Sequence, residues 1–156
     1  MSLTTDIELF KKAEKYSIQL NAIVFKNQLY DMQLMKGGYI INMADSDSMG
    51  THWVAFWIDD ARKNDAVVYF DSFGISPPME VRNALKKIAL KILVSDKQIQ
   101  NINSGWCGIY NLYFLWFMQN HAKIPLEKRL DMFLNLFSND IEQNLTILKK
   151  LFLKTV

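Results

Sequence analysis

The 156 residues hold a single cysteine, so no internal disulfide can form and a secreted domain stapled by such bonds is excluded. An intracellular or virion-interior protein is the expectation that follows. Three prolines and six glycines are too few to build a flexible linker, and no segment repeats. Residues 1–156 therefore read as one domain. Excess charge is missing as well: 18 Lys+Arg against 16 Asp+Glu leave +2, too weak a balance for a dedicated nucleic-acid binder. No apolar run approaches the roughly 18 residues of a membrane span, and the first residues lack the basic and apolar regions of a signal peptide. Asp45-Ser46-Asp47 and Asp59-Asp60 have no spaced His or Cys partners, so they read as loops and no metal site is expected.

What is present is core-forming. Half of the residues are hydrophobic and 22% are charged, which suits a packed interior. Thr4, Thr5 and Asp6 offer capping oxygens before the amphipathic run Ile7, Leu9, Phe10, Ala13 and Tyr16, a first helix. Ile18 to Phe25 reads as extended, and Gly37-Gly38 as a turn ahead of a strand at Tyr39-Ile40-Ile41. His52 to Ile58 and Ala66 to Asp71 are aromatic and β-branched, joined through Lys63-Asn64-Asp65 as an antiparallel hairpin. Ser76-Pro77 starts a helix with Val81, Leu85, Ile88 and Ile92 on one face, and Gln98-Ile99-Gln100 is a short strand candidate. Trp106 to Phe117 is hydrophobic on every side, which predicts a central helix buried all round. Pro125 opens a further helix, and a last one spans about 141–151. The expected fold is α+β, a small, mostly antiparallel sheet packed against a buried central helix and flanking helices.

The sole cysteine sits in Asn103-Ser104-Gly105-Trp106-Cys107-Gly108-Ile109-Tyr110. With Ser104 as N-cap, Cys107 falls in the first turn of the buried helix, where free N–H groups and the helix dipole favour a thiolate and an oxyanion. A lone cysteine beside Trp and Ile is equally readable as packing material. His52 opens one strand of the hairpin and Asp71 closes the other, so imidazole and carboxylate can come within hydrogen-bond reach. In the alternative, His52 merely precedes a strand and Asp71-Ser72-Phe73-Gly74 is a turn. Gln100, seven residues before Cys107, could supply a second oxyanion donor, but Gln98 shares its face and spacing does not choose. His121 reads as a C-terminal helix cap.

Three blocks, His52-Trp53-Val54-Ala55-Phe56, Tyr69-Phe70-Asp71-Ser72-Phe73-Gly74 and Gln100 to Gly108, resemble in order and spacing those of the adenovirus maturation protease family, adenain, and more distantly the SUMO-specific proteases. The resemblance implies a cysteine endopeptidase with Cys107 as nucleophile, His52 as general base, Asp71 as its orienting acid and Gln100 as oxyanion donor, with no cofactor required for the chemistry. It implies viral structural precursor proteins as substrates, cut at Gly-containing sites during virion maturation, in the virion and the infected host cell. An adenovirus-related lineage, virophages and Maverick-type elements such as mavirus, is the implied source, and a monomer the implied state. A ubiquitin-like-modifier deconjugase would use the same parts. The third catalytic position is Asp71 where adenain has Glu. Adenain is stimulated by DNA and by a viral peptide that can be disulfide-linked; with one cysteine here, only a non-covalent peptide or DNA activator fits. Arg82, Lys86, Lys87, Lys91 and Lys97 are the residues for weak DNA association, or simply a solvated helix face. Met35-Lys36-Gly37-Gly38 resembles a self-cleavage site.

Overall fold

The computed structural model describes residues 5–44, 52–60 and 66–153. The chain runs through α1 (Asp6–Lys15), β1 (Leu20–Phe25), a 3₁₀ turn (Lys26–Asp31), β2 (Gly37–Asn42), β3 (Trp53–Ile58) and β4 (Ala66–Phe70). It continues through α2 (Met79–Lys86), β5 (Lys91–Val94), α3 (Cys107–Asn120), α4 (Leu126–Leu134) and α5 (Asn144–Leu151), the last preceded by a 3₁₀ turn at Ile141–Gln143. The expected α+β class is what the chain adopts. The strands form one sheet in the order β1-β2-β3-β4-β5. Its centre is antiparallel, with β3 paired to β2 and to β4 as the hairpin reading expected, and its two outer pairings, β1 with β2 and β4 with β5, are parallel. The residues of the β3–β4 connection, and the Asp45-Ser46-Asp47 run, lie outside the described residues.

The two faces of the sheet are buried unequally. One packs against α3 with α1, α4 and α5 around it, in a core containing Ile40, Ala55, Val68, Phe70, Phe114, Phe133 and Phe137. The other, with Tyr39, Val54, Phe56 and Tyr69, is covered by α2 and the first 3₁₀ turn. α3 is buried round nearly its whole circumference, as its unbroken hydrophobicity requires. Phe114 stacks on Phe70 at 4.8 Å and meets Phe133 edge-on at 5.6 Å, which fastens the helix to both the sheet and α4. Gly38 explains how closely α3 lies on β2: a Cβ there would sit 2.7 Å from a Leu115 methyl.

Several local expectations are corrected. Gly37 and Gly38 are not a turn but the first residues of β2, buried between β1 and β3, so the proposed self-cleavage point is inside a paired strand. The helix expected to carry Ile88 and Ile92 ends at Lys86. It begins at Met79 rather than directly after Ser76, because Pro78 forces Pro77 out of helical geometry and itself takes the extended cap position (φ −69°, ψ 166°). Ile92 belongs to β5, where an apolar, β-branched run gains a parallel partner at the sheet edge. Gln98-Ile99-Gln100 is not a strand: the N–H groups of Ile99 and Gln100 both donate to the Ser72 carbonyl, at 2.9 and 3.0 Å. Ser104 is not the cap of α3; Trp106 holds that position, with no side-chain capping bond. Thr5 does cap α1, accepting from the Glu8 N–H at 3.2 Å, and His121 ends α3 with Nδ1 2.9 Å from the Phe117 carbonyl.

Candidate active site

Three segments converge at one end of the sheet: the residue before β3, the turn after β4 and the head of α3. His52 stands immediately before β3, and its backbone carbonyl accepts from the Met43 N–H at 2.9 Å, which extends the β2–β3 pairing to the histidine. Asp71 follows β4 directly and is 1% exposed. His52 Nε2 and Asp71 Oδ1 are 2.7 Å apart. The same carboxylate oxygen accepts from the Phe73 N–H at 2.8 Å, and the backbone N–H of Asp71 donates to Ser95 Oγ at 3.0 Å. Phe73 then stacks on the imidazole, with centroids 3.9 Å apart and planes 10° from parallel. The ring is thereby fixed in position, in orientation and at one of its two nitrogens.

The other ring nitrogen, Nδ1, is buried without a nitrogen or oxygen partner. Since Nε2 is taken by Asp71, Nδ1 is the ring atom left open, and Cys107 is near enough to act on the ring electrostatically. Burial by itself lowers the pKa of His52. The hydrogen bond to Asp71, and the influence of Asp71 and Cys107 beside the ring, outweigh it and raise the imidazole to about 9. Cys107 is the first residue of α3 and is partly exposed. The N–H groups of Cys107 and Gly108 precede the first bond of the helix, which Ile109 makes to the Trp106 carbonyl at 3.0 Å, so they point out of the helix end at which the sulfur sits.

Gln100 lies in the loop before α3 and is 1% exposed. Its Oε1 accepts from the Ser72 hydroxyl and its Nε2 donates to the Ser104 carbonyl at 2.9 Å, which locks the amide between the Asp71 turn and the Cys107 turn. One Nε2 hydrogen is left over. Gln98, the alternative of the same spacing, is exposed and donates to the Gln100 carbonyl at 3.1 Å. The backbone beneath is held from α5, where the buried Asn144 donates through Nδ2 to the Ile99 carbonyl at 3.0 Å. Gly74 closes the turn after Asp71 with φ +74°, and a Cβ there would meet the Gln98 nitrogen at 2.8 Å. Only glycine satisfies both the positive φ and this approach of two backbones.

Thus the structure brings His52, Asp71, Cys107 and Gln100 into one end of the molecule and leaves Gln98 outside. Ser72, Phe73 and Ser95 were not anticipated. The first two stand inside the block Tyr69 to Gly74 that carries the family resemblance, where only Asp71 was given a role, although an aromatic residue two positions after the aspartate was a signal. Ser95 follows the strand that had been read as helix. Three of the five basic residues are engaged within the fold: Lys97 Nζ donates to the Leu134 and Phe137 carbonyls at 3.2 and 2.8 Å, Lys87 lies 4.6 Å over the Tyr30 ring and Lys91 is 3.9 Å from Glu127. Among the described residues, no cluster of His, Cys, Asp and Glu could hold a metal ion, and no helix is long and apolar enough to cross a membrane.

The "SUMO-1 cysteine protease" of African swine fever virus is 29% identical over 87 residues, which is 50% of this chain but only 32% of that protein. The crystal structure of the selenomethionine form of an African swine fever virus protease superposes with a TM-score of 0.58 at 20% identity, covering 94% of this chain and 67% of its own. The chain has the fold of a cysteine protease. A structure of AvrA superposes with a TM-score of 0.50 at 18% identity, covering 88% of this chain and 52% of its own. No protein-family model matches the chain.

Proposed function

We propose that the chain is a cysteine endopeptidase in which Cys107 is the nucleophile, His52 the general base and acid, Asp71 the group that orients it and Gln100 an oxyanion donor. The observation that carries this reading is the buried imidazole held by Asp71 on one nitrogen and open to Cys107 on the other. A ring raised to about 9 is protonated at neutral pH, so His52 has a proton to give to a leaving group. The thiolate attacks the peptide carbonyl carbon, and the oxyanion is held by the Cys107 N–H and the free Gln100 Nε2–H. His52 then gives its proton to the leaving amine as the C–N bond breaks. Next it takes a proton from the water that attacks the thioester, and the acid is released.

The substrates in this reading are viral structural precursor proteins cut at Gly-containing sites during particle maturation, by a monomer acting in the virion and the infected cell. The similarity to a viral protease supports a viral setting, and an adenovirus-related lineage of the virophage and Maverick kind is the proposed source. A second reading, removal of a ubiquitin-like modifier, has support in the printed name of the African swine fever virus relative. A non-covalent peptide or DNA activator is compatible with either, and DNA stimulation would show as activity falling steeply with salt.

The test is covalent labelling of Cys107 by an electrophilic Gly-Gly peptide. Wild type should be labelled at Cys107 and His52→Ala should not; equal labelling of the two removes the catalytic pair from the proposal. Capsid-precursor peptides against modifier conjugates then separate the two substrate readings.

A further inference from the structure

We infer that the hollow between the first 3₁₀ turn and α2 is a docking surface for an acidic segment of the polypeptide substrate, held by an apolar side chain in the hollow and by the cations beside it. The inference rests on the peptidase reading and adds a second point of substrate contact, away from the scissile bond. The hollow has a volume of about 210 Å³. Its lining includes the buried Ala84 together with Tyr30 of the turn and Met79 of α2, which are 78% and 73% exposed. A further apolar side chain, Ile75, is exposed on the segment that joins Asp71 to α2. Large apolar side chains exposed together around a concavity are the mark of a contact site.

The charge around the hollow has one sign. Lys26 and Glu80 neutralise each other at 3.3 Å. Lys87 lies 4.6 Å over the Tyr30 ring and donates to the Tyr30 carbonyl at 3.4 Å, and since both partners are neutral its charge is uncompensated. Arg82 and Lys86, four residues apart on the adjoining face of α2, form no ion pair among the described residues. Against these three cations the turn and α2 set only Asp31. An acidic partner is therefore attracted. Duplex DNA would satisfy the cations but keeps its bases stacked inside and has no apolar side chain for the hollow, whereas an acidic polypeptide segment with one leucine satisfies both.

The hollow begins at the end of the sheet that carries His52. Lys26 follows Phe25, Phe25 pairs with Asn42, and Asn42 pairs with Trp53, the neighbour of His52. Two strand spacings, about 10 Å, separate the two positions across the sheet. An extended substrate advances about 3.3 Å per residue, so a segment about five residues or more from the scissile bond reaches the hollow while that bond lies at Cys107.

The experiment uses the full chain and internally quenched peptides that share one glycine-containing cleavage sequence. Some end there; others continue, on the N- or the C-terminal side, into a segment of Asp and Glu around one leucine. On one side the extension should lower KM about tenfold and leave kcat unchanged, because the contact is remote from the reacting carbonyl. The gain should shrink with added salt and when glycine replaces the leucine of the segment. It should be lost in Asn83→Trp, which fills the hollow from an exposed position, and in Arg82→Glu combined with Lys86→Glu, while both variants cut the short peptide as wild type does. Extensions that change nothing on either side, a gain as large without the leucine, or a gain that survives both variants overturns the docking surface. So does a face that binds duplex DNA, and loses it on charge reversal, while the acidic extensions gain nothing. If no peptide is cut and alkylation of Cys107 by iodoacetamide does not depend on His52, the peptidase reading falls instead. Docking is then read from the fluorescence anisotropy of the labelled acidic segment with the same variants, and absence of binding there overturns it as well.

Discussion

The two ends of β3 each carry an ion pair, and the pairs differ in how completely they are closed. Before the strand, His52 meets Asp71 at 2.7 Å and keeps a ring nitrogen without a nitrogen or oxygen partner. After it, Asp59 grips Arg129, whose Nη1 donates to Asp59 Oδ1 at 2.9 Å and to the Met118 carbonyl at 2.8 Å, while its Nε donates to the Ile124 carbonyl at 2.8 Å. Trp57 Nε1 completes the set, donating to Asp59 Oδ1 at 2.7 Å. The Arg129 guanidinium, 1% exposed, therefore ties β3 to the ends of α3 and α4. A buried charge whose bonds are all internal does structural service; one that leaves an atom facing a thiol is available for chemistry.

Four experiments sharpen or break that contrast. The largest effect is expected at the open pair, where His52→Ala should lower kcat by about 10³–10⁴. Asp71→Asn should cost less, because it orients the ring and transfers no proton, and stopped-assay kinetics on one peptide would compare the two. At the closed pair, Arg129→Met should leave Asp59 and two carbonyls short of donors and cost about 3–5 kcal/mol in urea unfolding. Turnover per folded molecule should stay as in wild type; if it falls with stability, the two ends are not separable. Gln100→Leu should lower kcat by about 10²–10³. A loss confined to KM would remove the oxyanion role. The smallest effect is in pH dependence, where the ends should fail in opposite directions. His52 is raised above its unfolded value, so its contribution to stability is full below about 6.5 and is lost as pH rises through about 9. For Asp59, burial alone would raise the pKa, but the bonds from Arg129 and Trp57 and the Arg129 charge hold it below the usual carboxylate range. Its contribution is present above that range and is lost as the pH falls through the folded-state value. Unfolding curves of His52→Ala and Arg129→Met against wild type should lose the alkaline and the acid slope respectively.

The lessons about legibility follow from particular residues. α3 was readable because a helix hydrophobic on all sides can only be buried, and the β3–β4 hairpin because two β-branched, aromatic runs were separated by a short polar stretch. β5 was missed because Lys91-Ile92-Leu93-Val94 continues a helical spacing from Val81, and only the open edge of β4 makes the extended form better. The choice between Gln100 and Gln98 was not local either. It depended on the Ser72 hydroxyl and carbonyl, which lie nearly thirty residues earlier in the chain.

Residue order alone determined which groups were on offer: one sulfur ahead of a wholly apolar helix, a histidine and an aspartate at matching ends of two strands, and a glutamine at fixed spacing. Those features follow from hydrophobic periodicity and short-range sterics, which act along the chain. Tertiary structure alone decided which ring nitrogen faces the thiol, which glutamine turns inward and which of two buried ion pairs stays open. These are matters of hydrogen-bond geometry between distant segments, and a few tenths of an ångström there separates a bond from none.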